Sequence, residues 1–176
     1  RDIDGQARGV CARSECPSEM AVRMRSWRPS KMKLDEVTIA EFKNLKNLRV
    51  DFDEESPYTI LVGENGAGKS NLIEALSLIF RNLDLDIEAP FAYHLKYRCR
   101  DSEIEIHAQK DQIPRFGTRA KGSTGEYAAL TRRRFMEQDS EGRPLYRPAF
   151  VFGYYSGPSD RLASVYDRHR ERYYSW

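Results

Sequence analysis

Eight consecutive residues carry the clearest chemistry in this chain: Gly63-Glu64-Asn65-Gly66-Ala67-Gly68-Lys69-Ser70. They fit G-x-x-x-x-G-K-[ST] at every fixed position. A loop of this kind wraps a polyphosphate with inward-pointing backbone N–H groups. Side chains at Gly63, Gly66 and Gly68 would obstruct that approach or the dihedrals it needs. Lys69 can reach the β- and γ-phosphates, and the Ser70 hydroxyl can complete a Mg²⁺ shell made otherwise of waters and phosphate oxygens. A glycine-rich turn with no ligand has no need of Gly, Lys and Ser at these offsets.

Such a loop works only between a strand and a helix, and the flanking sequence supplies both. Tyr58-Thr59-Ile60-Leu61-Val62 is a short, nearly continuous apolar run, which predicts a strand buried on both faces. Leu72, Ile73, Leu76, Ile79, Phe80 and Leu83 follow the rhythm of one apolar helical face, so a helix is expected to open at Lys69 and aim its free amides and dipole at the same phosphates. Upstream, Val37, Ile39 and Phe42, then Leu48, Val50 and Phe52, alternate on either side of the polar stretch Lys43–Asn47. That pattern reads as an antiparallel hairpin. Ser102–Ala108 reads as a half-exposed strand, and Phe150–Tyr155 as another buried one. Ser159 or Asp160 caps a final helix that runs to Trp176. Residues 110–147 show no clear period and are expected to form a flexible insertion.

The 176 residues are 40% hydrophobic and 32% charged, enough apolar material to build a core, so wholesale disorder is excluded. No apolar run approaches the ~20 residues that span a bilayer, and no signal peptide is visible, which makes the cytosol the expected compartment. Residues 1–33 hold eight Lys/Arg against four Asp/Glu, leaving 21 basic and 23 acidic residues in the remainder. Net charge therefore gives no argument for nucleic acid. Residues 1–31 read as a disordered extension, either sequence ahead of a natural start near Met32 or a basic arm, with 32–176 as the folded part. Cys11, Cys16 and Cys99 are not spaced as a disulfide framework or a zinc site. His94, His107 and His169 lie without partner spacing and read as surface or satisfied histidines rather than ligands. Tyr154, Tyr155, Tyr166, Tyr173 and Tyr174 read as packing residues.

The run Ile60 to Leu76, with the loop at its centre, resembles the N-terminal nucleotide-binding segment of ABC-type chromosome and repair ATPases. That group includes the SMC, RecF and OLD families and AAA family ATPases of bacterial defence systems. The stretch Val37–Leu48 resembles the strand pair leading into their loop, and Phe152–Leu162 is similar to a segment of defence-associated members. The resemblance implies an α/β P-loop NTPase fold, with an antiparallel hairpin beside a mostly parallel sheet. It also implies ATP and Mg²⁺ as cofactors, nucleotide contacts along residues 63–71 including Asn71, and pairing of two ATPase heads around two nucleotides. DNA, in repair or phage defence, is the implied partner.

These ATPases also need an apolar strand ending in Asp-Glu and a Ser-Gly-Gly-type signature loop. Asp53-Glu54 precedes the glycine loop, and Pro158 breaks the likeness of Tyr155–Ser159 to a signature, so no catalytic residue is assignable. Gln109, Gln112 and Gln138 are unplaced candidates for the Mg²⁺-sensing glutamine. The chain is expected to be the front part of a head domain that binds ATP but hydrolyses it inefficiently alone. A truncated non-enzymatic fragment and a P-loop kinase or GTPase are the alternatives, although no Asn-Lys-x-Asp occurs. Lys43 is read either as approaching the nucleotide or as a surface lysine. Arg119, Lys121, Arg132, Arg133, Arg134, Arg143 and Arg147 are read as a solvated basic loop in preference to a DNA contact.

Overall fold

The computed structural model describes residues 32–52, 56, 58–149, 151, 162, 165 and 167. Six strands form one sheet: β1 (Met32–Phe42), β2 (Leu45–Asp51), β3 (Tyr93–Cys99), β4 (Ser102–Ala108), β5 (Arg115–Ala120) and β6 (Ala128–Leu130). Their spatial order is β2-β1-β3-β4-β5-β6, and every pairing is antiparallel. Two helices complete the described elements, α1 (Lys69–Leu85) between β2 and β3, and α2 (Arg132–Phe135) after β6.

This corrects the expected mostly parallel sheet, as far as the described residues go. Two-residue turns at Lys43-Asn44 and Arg100-Asp101 join β1 to β2 and β3 to β4, and so short a link can only reverse the chain. Lys43 and Arg100 take positive φ there, 54° and 56°. The first turn is also tighter than the Lys43–Asn47 loop expected, because Leu45 is already paired and buried.

Alternation along the strands gives the sheet two different faces. One row runs from Val50 through Val37, Leu95, Ile106 and Phe116 to Leu130, each residue paired in register with the next. Five of these six are buried, and α1 contributes Leu72, Ala75, Ile79, Phe80 and Leu83 to the same core. The Phe80 ring meets Tyr97 edge-on at 5.9 Å. Ile73, expected on the buried face of α1, is exposed, while Ala75 is fully buried in its place. The other face of the sheet is charged, carrying His94, Lys96 and Arg98 from β3 and Glu103, Glu105 and His107 from β4.

Tyr58–Val62 does not form the buried strand expected of it. Tyr58, Ile60 and Val62 are 69%, 71% and 88% exposed, and the segment joins no strand among the described residues. An apolar run becomes a buried strand only if neighbouring strands bond both its edges, and none of those described does so. Of the strand expected at Phe150–Tyr155 only Val151 is described, and it is exposed. The rest of that strand and most of the final helix lie outside the described residues, as do residues 1–31, the Asp53-Glu54 pair, Tyr155–Ser159 and the five tyrosines named above.

Residues 110–147, expected as a flexible insertion, continue the sheet through β5 and β6 and add α2, whose Phe135 stacks on Phe116 at 4.0 Å. Thr131 caps α2 by accepting from the Arg134 amide. Beyond it, Asp139 closes a turn by accepting from the amides of Glu141 and Arg143. Those amides, the Arg143 one foremost, together with the Arg100 and Arg143 guanidiniums, outweigh slight desolvation and hold its carboxyl well below the usual carboxylate range. The chain then straps back over the core, where the Tyr97 hydroxyl donates to Tyr146 O and buried Arg147 pairs with Asp84 of α1 at 2.8 Å. Among the described residues, no helix is long and apolar enough to cross a membrane.

Since Leu95 is fully enclosed and Ile73 is not, Leu95→Ala is expected to lower stability by about 2–5 kcal/mol. Ile73→Ala should stay within about 0.5 kcal/mol. Urea titrations of both variants, compared at equal slope, check the contrast.

Candidate nucleotide-binding site

The glycine loop sits where α1 meets the β1–β2 turn. Gly66 and Gly68 hold φ of +88° and +100°, left-handed values that side chains rarely tolerate. Gly68 is the N-cap of α1. It offers no side chain to cap the helix, and the first turn holds no acidic residue, so the leading amides and positive dipole end have no internal anion.

The Lys69 ammonium turns back into the loop and donates to the carbonyls of Gly63 and Glu64, both at 2.6 Å. The Ala67 amide donates to Glu64 O at 3.2 Å, closing the turn. Glu64, Asn65 and Ala67 are exposed along it, as is Ser70 in the first turn of α1. The loop is therefore a ring of backbone with a cation folded against it and an uncapped helix end at its exit.

The turn between β1 and β2 holds this ring in place, which the sequence did not reveal. Asn44 Nδ2 donates to Gly66 O at 2.9 Å, and Asn71 Nδ2 donates to Asn44 Oδ1 at 2.6 Å. A Cβ placed on Gly68 would come within 2.6 Å of Leu45 Cδ2. Lys43 pairs with the largely buried Glu74 of α1, so it is tied to the helix beside the loop rather than standing alone on the surface. Asn44 was the residue missed. Its only signal was a hydrogen-bonding side chain between two alternating runs, which fits an ordinary turn equally well.

Residues 32–139 match the model of the AAA ATPase domain. The chain belongs to that family. The retron Vc95 probable ATPase of Vibrio cholerae is 30% identical over 83 residues, covering 47% of this chain and 16% of that protein. The DNA replication and repair protein RecF of Lactobacillus acidophilus is 49% identical over 45 residues, 26% of this chain and 12% of RecF. The Septu protein PtuA of Bacillus mycoides is 35% identical over 49 residues, 26% of this chain and 7% of PtuA. This chain thus spans only a small part of the length of the relatives it matches.

The expected resemblance to RecF-like and defence-associated ATPases is borne out. Other candidates for this AAA ATPase domain are dispersed. Gln109 and Gln112 lie in the β4–β5 connection, and Gln138 forms a bridge with Pro144 in the Asp139 turn. The basic residues of 119–147 are largely committed to carboxylates: Arg119 to Glu103, Arg132 to Asp86, Arg143 to Asp139 and Glu141, and Arg147 to Asp84.

The two left-handed glycines make a matched pair for substitution. A methyl on Gly66 meets nothing within 4 Å, so Gly66→Ala should cost only the left-handed penalty of about 1–2 kcal/mol. Gly68→Ala adds the collision with Leu45 and should cost clearly more. In a Leu45→Ala background the difference between the two glycine variants should shrink, as read from denaturant midpoints.

Proposed function

We propose that residues 63–71 bind Mg·ATP, and that the complete protein is an ATPase acting on DNA in repair or phage defence. The observation that carries the reading is the end of α1: leading amides with no internal cap or carboxylate, approached by a glycine loop and by the ammonium of Lys69. Backbone amides and one lysine suit a polyphosphate. On binding, Lys69 would exchange two carbonyl partners for phosphate oxygens, while Asn44 keeps the loop from collapsing.

Ser70, exposed in the first turn, is the residue here to hold Mg²⁺, whose chemistry is to neutralise the phosphates and orient them. Among the described residues no strand ends in an Asp-Glu pair beside it, and hydrolysis is assigned to the complete protein. There, two heads would close around two nucleotides, and further chain would cover Tyr58, Ile60 and Val62, whose side chains are exposed. Membership of the AAA ATPase domain family and the likeness to RecF, the retron ATPase and PtuA support this reading.

Calorimetric titration of Mg·ATP, Mg·GTP and Mg·ADP into this chain tests it, with Lys69→Ala alongside. Saturable ATP binding should appear in the parent chain and disappear in Lys69→Ala, with turnover near background. No ATP binding by a chain that melts cooperatively would refute nucleotide binding at this loop.

A further inference from the structure

The charged face of the sheet carries a cluster that the nucleotide site does not use. His94 on β3 and His107 on β4 are directly opposed in register, and their rings stack at 4.2 Å with 13° between the planes. Glu105 lies on the same face and takes one ring on each oxygen. His94 Nε2 is 2.9 Å from its Oε1, and His107 Nε2 is 3.5 Å from its Oε2. One donor atom from each of the three residues falls within 4.8 Å of the others.

Two imidazoles and a carboxylate are the donor set of a three-ligand zinc site with a position left open for water. Donors bound at about 2.0–2.1 Å in a tetrahedron stand roughly 3.3 Å apart, so little closure is needed. His94 and Glu105 are mostly covered, with side chains 24% and 19% exposed, and the sheet holds them in place. His107 is 59% exposed and has the freedom to tilt out of the stack, bringing both ring nitrogens toward one ion.

Two cations border the cluster. Lys96 Nζ stands 3.6 Å from Glu105 Oε1, and Arg115 is paired in register with His107; Thr38 faces His94 from β1. The Lys96 ammonium holds the carboxylate from a long, partly exposed stem, so an entering ion can displace it into water.

We propose that His94, Glu105 and His107 form a binding site for a divalent transition-metal ion of the Zn²⁺ class, clipping β3 to β4 on the face opposite α1. A simple ion pair needs one histidine; this arrangement presents two, one to each oxygen of the same carboxylate.

The test is titration of Zn²⁺ into the full chain, stripped of metal and free of nucleotide, against a chromophoric chelator. One saturable equivalent is expected. Its affinity should fall in His94→Ala and in His107→Ala by more than the roughly 10–100-fold that losing an outer-sphere partner costs. Glu105→Gln should weaken it, and Lys96→Ala should strengthen it by removing the competing cation. Zn²⁺ should raise the melting midpoint of the parent chain and not that of His107→Ala, whose exposed position spares the core. Controls are His169→Ala and the double variant Cys11→Ser/Cys16→Ser, both of which should bind as the parent does. The proposal is overturned if the parent chain shows no saturable equivalent. It is equally overturned if binding survives in His107→Ala or is lost in the cysteine variant.

Discussion

The arrangement depends on one close approach, the seating of the β1–β2 turn against the start of α1. At Gly68 the backbone turns left-handed into the helix, with Leu45 so near that a methyl group would collide with it. The same turn sends Asn44 to Gly66 O and Asn71, and Lys43 to Glu74. Lys69 and the Ala67–Glu64 bond close the glycine loop from within, and this turn fixes the closed loop against α1 from outside. Leu45 belongs at once to the turn, the loop contact and the apolar core. The loop's geometry is therefore coupled to the packing of α1 on the sheet.

Charge is managed by pairing rather than by accumulation. Four of the seven cations between 119 and 147 are held by carboxylates, and Arg147 is buried while doing so. Arg147 is buried although Asp84 is partly exposed, so losing the carboxylate would strand a buried guanidinium, which makes this bond a fastener between the returning chain and α1. At the helix N-terminus the opposite holds: no carboxylate and no cap answers the positive end, and a lysine is added to it. A site for an external anion needs this imbalance.

The loop and α1 were legible because local rules decide them. Glycines at fixed offsets, a Lys-Ser pair and a helical apolar period point the same way, and the helix opens at Lys69 as expected. The β1–β2 hairpin and β4 were legible for the same reason. β3 was not read as a strand, although Tyr93, Leu95, Tyr97 and Cys99 alternate into the core. The continuation of the sheet into β5 and β6 escaped because those strands are short and contain Gly117 and several charges. The Tyr58–Val62 run failed in the opposite sense, since apolar composition specifies a wish for burial but not the neighbours that provide it.

The sequence by itself determined which residues can meet a polyphosphate, where the helix behind them begins, and which family the chain resembles. Each of these rests on contacts a few residues apart. Only the tertiary structure decided that the described sheet is antiparallel, that Asn44 braces the loop from 22 residues away, and that His94 and His107 stand side by side on Glu105. Strand register creates such neighbours, and register follows from which faces are buried together, a property of the whole sheet rather than of any one segment.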